Sequence, residues 1–197
     1  MRSSLVGLVA VLVLAGCASS AKRDLAPADP VAIDSFELNG RVSIKVKAEN
    51  KGYPGKIRWQ HQGAKEDLWI YTPLGNLVAR LEQDENTAAI TTAKGEEYRA
   101  GTLAFLARDV LGYDLPVDAL QYWVRGLEWP KGRTNSLVKD DKGRLTALVQ
   151  DQWEVSYQAW AAGNGLPSKM IVENDEMKLS LVIDRWQLGD FEEGDDK

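Results

Sequence analysis

The 197-residue sequence predicts an α+β fold that is mostly antiparallel β: a sheet curled into a barrel, with two short helices over an apolar space. Three observations predict it. Apolar residues recur with period two along many short segments, tight-turn signals separate those segments, and two stretches near the middle switch to helical spacing.

Residues 36–46 (FELNGRVSIKV) alternate apolar and polar side chains, with Gly40 the only gap, as a strand with one buried and one wet face does. Ile57 and Trp59 lie in step. Leu68 and Ile70 follow, interleaved with Trp69 and Tyr71, then Leu77, Ala79 and Leu81, then Ala88 and Ile90. Near the end come Trp153, Val155, Tyr157 and Ala159, a short Met170/Val172 run, and Met177, Leu179, Leu181 and Ile183. Turn residues punctuate these runs at 84–86, 94–95, 141–143, 163–165 and 174–175.

The middle differs. Residues 102–111 (TLAFLARDVL) place Leu103, Leu106, Ala107 and Val110 at helical spacing and end at Gly112. A second helix is predicted from Pro116, a favourable first residue, with Val117, Leu120, Trp123 and Val124 on one face and a stop near Gly126. Two helices do not fit inside a filled small barrel, but they can cap an open one. The candidate lining of the space beneath them is Phe36, Leu38, Trp59, Ile70, Leu106, Leu120, Trp123 and Trp153. Core packing is the ordinary role of such residues; lining a cavity for acyl chains is the alternative.

The N-terminus carries a separate message. Met1-Arg2, an apolar stretch from Leu5 to Leu14 and the small pair Ala15-Gly16 form the three parts of a signal peptide, too short to span a bilayer. Cys17, the single cysteine, follows at once, so no internal disulfide is available to it. Leu14-Ala15-Gly16-Cys17 resembles a bacterial lipobox, which makes Cys17 the expected acylation site, and Ala18 after it is compatible with the outer membrane. Residues 1–16 are therefore read as a signal peptide, 17–35 as acylated cysteine and flexible tether, 36–188 as one domain, and 189–197 as an acidic disordered tail. Loss of residues 1–16 removes only Arg2 among charged groups, so the net charge moves from −5 to −6, which argues against nucleic acid as a partner.

Signs of catalysis are missing. There is no GxxxxGK[ST] phosphate loop and no GxSxG elbow. The single histidine, His61, reads as a surface residue rather than a base. Carboxylate pairs such as Asp140-Asp141 and Glu96-Glu97 fall in turns, where they are usually hydrated. No enzyme activity, cofactor or metal is expected. Between two strands, Thr72-Pro73-Leu74-Gly75 suits a type I turn with Leu74 at its exposed corner. A leucine there either folds back onto the sheet or meets something apolar.

The segments FELNGRVSIKV (36–46), IRWQ (57–60), WIYTPLGNLVARL (69–81), GYDLPVDALQYWVRGL (112–127), QWEVSYQAW (152–160), LPSKM (166–170) and LSLVIDRW (179–186) together resemble the LolB family of outer-membrane lipoproteins. Their order and spacing carry the resemblance over nearly the whole mature chain; a longer tether with Pro27 and Pro30 and the acidic tail depart from it. The resemblance implies an incomplete, unclosed antiparallel barrel of about eleven strands with a short-helix lid over an apolar cavity. It also implies a monomeric protein, anchored through Cys17 to the outer membrane and facing the periplasm. Its partners would be a periplasmic LolA-like lipoprotein carrier, acylated lipoprotein cargo and outer-membrane phospholipid. Leu74, flanked by Pro73 and Gly75, would take part in moving cargo into the inner leaflet, without ATP. Two other readings stay open: a lipid- or glycolipid-binding or sensing lipoprotein without transfer activity, and a structural lipoprotein that needs no cavity.

Overall fold

The structure, a computed structural model, describes residues 29–49, 51–111 and 114–189. The segment read as a signal peptide, Cys17 with most of the expected tether, and the residues from 190 onward read as an acidic tail lie outside the described residues.

Eleven strands form one antiparallel sheet: β1 (Ser35–Val46), β2 (Lys51–Gln62), β3 (Lys65–Tyr71), β4 (Leu77–Gln83), β5 (Ala88–Thr92), β6 (Glu97–Ala100), β7 (Thr134–Lys139), β8 (Leu145–Gln150), β9 (Trp153–Trp160), β10 (Pro167–Glu173) and β11 (Met177–Leu188). The helices α1 (Leu103–Leu111) and α2 (Val117–Trp123) lie between β6 and β7 in the chain. The sheet order is β6-β5-β4-β3-β2-β1-β11-β10-β9-β8-β7, so two meanders are joined where β1 pairs with β11, and the barrel is unclosed. The edges β6 and β7 are the strands that flank the helical segment, which therefore runs from one edge to the other. The expected α+β, mostly antiparallel, unclosed barrel of eleven strands with two short helices is the observed architecture.

Period two explains the strands. In β1, Phe36 and Leu38 are fully buried and Val42 nearly so, and the one gap in the alternation has a structural cause. The β1–β11 register shifts between Asn39 and Gly40, and a Cβ at Gly40 would stand 2.2 Å from the Val182 carbonyl oxygen. Only glycine permits that approach. Three strands had no alternation to reveal them. β7 is exposed at every position, β6 at three of its four, and β8 buries only Leu145, Leu148 and Gln150.

The helices begin as their sequences suggest. Thr102 Oγ1 accepts the Phe105 N–H (3.2 Å), and Gln83 Oε1 on β4 accepts the Leu103 N–H (2.8 Å), so two free donors at the start of α1 are satisfied. Leu103, Leu106 and Ala107 are buried, and α1 packs on β4, β5, β6 and α2. Pro116 stands one residue before α2, and Val117, Leu120, Trp123 and Val124 form its buried face. Gly126, at φ +80°, ends the segment where a Cβ would meet Trp160 at 2.8 Å.

Candidate functional site: the lid, its groove and the Leu74 turn

One continuous apolar cluster fills the concave side of the sheet and includes both helices. All eight predicted lining residues reach it. Phe36, Leu38 and Trp59 come from β1 and β2, Leu106 from α1, Leu120 and Trp123 from α2, and Trp153 from β9; Ile70 on β3 packs against them, half-buried. Phe36 sits with Trp59, Trp186 and His61 at ring separations of 5.6, 5.3 and 4.9 Å, leaving no gap on those sides. Between sheet and helices the lining residues belong to or pack against one buried cluster.

An opening does exist at the lid's flank. A groove of about 290 Å³ runs between the start of α2 and the β8–β9 turn, lined by Leu115, Pro116, Val117, Trp123, Trp129 and Trp153 among others. Two of the eight predicted residues, Trp123 and Trp153, line it; Trp129 and Leu115 were not foreseen.

Few polar contacts tie α2 to the sheet. Trp123 Nε1 donates to Gln150 Oε1 (2.8 Å), and the fully buried Gln150 also accepts the Trp129 N–H (2.8 Å). Tyr157 Oη donates to the Trp123 carbonyl (2.9 Å), and burial pushes the Tyr157 phenol far above its ordinary range, so it remains a donor. Just beyond α2, the buried Arg125 donates through Nη1 to the Ile33 carbonyl (2.6 Å) and through Nε to the Gln121 carbonyl (2.9 Å). Burial draws the Arg125 pKa down against the opposing pull of Tyr122, Glu66 and Asp34. Beside these bonds and the Leu103 N–H bond to Gln83 Oε1 on β4, the lid packs on the sheet through apolar side chains.

His61 is not the surface residue its polar neighbours suggested. It is buried, its Nδ1 lies 2.8 Å from Glu66 Oε1, and it stacks on Phe36. Glu66 Oε2 accepts the Trp59 Nε1–H (2.6 Å). The cause is simple: the inward alternation of Ile57 and Trp59 continues to His61, and β3 pairs Glu66 directly opposite. This is a satisfied interior pair.

The turn between β3 and β4 has the form its sequence suggests. The Gly75 N–H donates to the Thr72 carbonyl (2.9 Å), placing Pro73 and Leu74 at the two corners. The Asn76 N–H donates to Thr72 Oγ1 (3.1 Å), the Thr72 N–H donates to the Asn76 carbonyl (2.8 Å), and Gly75 takes φ +96°. Leu74 does not fold back: it is 90% exposed, the most exposed large apolar residue among those described, with Leu77, Val78 and Tyr53 also open nearby on β4 and β2.

A lidded, unclosed antiparallel barrel with an apolar interior and an apolar turn standing off its rim defines the class of protein. The same architecture recurs in a solved DUF1329 family protein from Desulfovibrio piger, at a TM-score of 0.56 and 9% identity, covering 81% of this chain and 87% of that one; this likeness concerns the fold alone. The family described as outer membrane lipoprotein LolB matches residues 34–186, and the chain belongs to that family. It is 34% identical to the outer-membrane lipoprotein LolB of Nitrosomonas europaea over 171 residues, 84% of this chain and 78% of the relative. It is 33% identical to that of Thiobacillus denitrificans, over 88% and 91% of the two chains. The family is one of lipoprotein localisation and not of enzymes.

Proposed function

We propose that this chain, anchored through an acylated Cys17, accepts lipoproteins from a periplasmic LolA-like carrier and inserts them into the inner leaflet of the outer membrane without ATP. The observation that carries the proposal is the pairing of an apolar lid, held by few polar ties, with a solvent-facing Leu74 at the tip of a tightly bonded turn.

The physics requires a sheltered path. A 16-carbon chain gains about 12 kcal/mol on leaving water, at roughly 0.8 kcal/mol per CH₂. Release into water between carrier and bilayer would therefore be far too slow. In our reading the helices swing away from the sheet, starting at the groove beside Trp123 and Trp153, and the eight lining residues exchange contacts with one another for contacts with acyl chains. Direction follows from rising affinity, lowest at the carrier and highest in the bilayer. Leu74, with Pro73 and Gly75 fixing the turn, enters the phospholipid interface at the last step.

Leu74→Glu tests this. Burying a leucine side chain is worth about 2 kcal/mol, so its loss slows insertion roughly 30-fold or more. Acceptance from the carrier is expected to continue, so a complex of this protein with its cargo accumulates in a reconstituted transfer assay. Insertion at the normal rate would remove Leu74 from the mechanism. A wild-type protein that binds apolar dye yet never unloads the carrier would be a lipid sensor instead.

A further inference from the structure

The outer face of the central strands bears a cationic platform in a chain whose net charge is −5. Val42, Leu179, Leu181 and Met170 point inward and are buried, so the residues between them on β1, β11 and β10 point outward. Register then aligns three rows across β2, β1, β11 and β10. The first reads Lys56, Arg41, Val182, Lys169; the second Pro54, Ser43, Ser180, Ile171; the third Gly52, Lys45, Lys178, Glu173. Neighbouring strands stand about 4.8 Å apart and alternate residues about 6.8 Å apart, so five cations border a central row that bears two serine hydroxyls.

Two like-charge pairs, Arg41 with Lys56 and Lys45 with Lys178, face each other directly across strands. Such pairs oppose folding. Local acids answer only part of the charge: Asp184 bonds Arg41 at 2.8 Å, and Glu173 lies 3.7 Å from Lys178. Lys45, Lys56 and Lys169 make no ion pair among the described residues. The platform also adjoins the apolar turn, because Lys56 stands opposite Tyr71, the last residue of β3 before Thr72 and Leu74.

We infer that this platform is a docking surface for an anionic phospholipid bilayer, with the lysines and Arg41 meeting lipid phosphates and Leu74 entering beside them. The inference rests on the membrane-anchored reading above and adds a lipid class and a contact face to it. Charge selects the occupant: a neutral surface would leave the like-charge pairs uncompensated, whereas lipid phosphates at a bilayer surface compensate them.

The test uses the full acylated chain in phosphatidylcholine vesicles, with or without one quarter phosphatidylglycerol. Lysines are acylated with an amine-reactive reagent and read one by one by mass spectrometry. Lys45, Lys56 and Lys169 are expected to lose reactivity at least about threefold when phosphatidylglycerol is present, while Lys139 and Lys142 on the β7–β8 hairpin do not change. High salt should abolish the protection. Lys45→Glu with Lys56→Glu should release Lys169, whereas Leu74→Glu should keep all three protected. Equal reactivity in the two vesicle types overturns the proposal, as does protection by soluble polyglutamate but not by phosphatidylglycerol, which would assign the face to an acidic protein. Protection without cargo insertion would sink the transfer reading and spare this one; insertion without protection does the reverse.

Discussion

Replacing Gln150 by leucine probes how the lid is held. The side chain is fully buried and accepts two hydrogen bonds, from Trp123 Nε1 on α2 and from the Trp129 backbone N–H, both at 2.8 Å, and its Nε2 donates to the Trp129 carbonyl and Thr134 Oγ1, both at 3.0 Å. Leucine has similar bulk and neither acceptor nor donor. Trp123 is 1% exposed, so its N–H is left without water and costs the upper part of the 1–3 kcal/mol expected for a stranded buried donor. Trp129 is half-buried and regains some hydration, so its share is smaller. The total is about 2–4 kcal/mol. With a urea m-value of about 2 kcal/mol/M, the unfolding midpoint falls by about 1–2 M. The same substitution frees α2, so an apolar dye should enter the folded protein faster than it enters wild type. A midpoint within about 0.3 M of wild type at unchanged m would show that the Gln150 bonds do not fasten the lid.

Two further outcomes concern stability. Burial opposes the charge of Glu37, but hydrogen bonds from Gln60 and Asn39 and the Arg58 guanidinium hold its carboxyl below the ordinary 4.5. A depressed folded pKa stabilises the protein above pH 4.5 and ceases to do so as pH falls through the folded value. Glu37→Gln is therefore expected to be less stable than wild type at pH 7, by about 1–2 kcal/mol, with the gap closing in acid denaturation series below pH 4.5. A gap that persists unchanged to pH 2 would contradict the assignment. Gly126→Ala meets both a φ of +80° and the Trp160 ring at 2.8 Å, so it should cost more than about 1 kcal/mol and lower Tm by at least about 2–4 °C in calorimetry.

Much of this architecture can be read directly from residue patterns. Strands that bury one face, such as β1, β9 and β11, announce themselves by alternation, and both helices follow from the 3.6-residue spacing of Leu103, Leu106 and Ala107 and of Val117, Leu120 and Trp123. β6 and β7 escape because an edge strand with wet faces carries no periodic constraint; only the turn residues 94–95 and 141–143 hinted at them. The Leu74 turn is local chemistry, so proline, glycine and threonine specify it without help from the rest of the chain. The interior is another matter. That Phe36, Leu38 and Trp59 face inward follows from alternation, but whether inward side chains interlock or leave space depends on the distance between lid and sheet, which no short-range pattern encodes. His61 illustrates the same limit: its type suggests solvent, while its place in the inward series after Trp59, and Glu66 across the ladder, decide otherwise.

The junction of the two meanders has a mechanical consequence. β1 is hydrogen-bonded along its length to β2 on one side and β11 on the other. Tension entering at residue 29 must shear two long ladders at once before any force reaches an edge. Held by its N-terminal side as proposed, the molecule takes the pull at this seam and at the Arg125–Ile33 bond just beyond α2, while the outermost strands β6 and β7 stay unloaded.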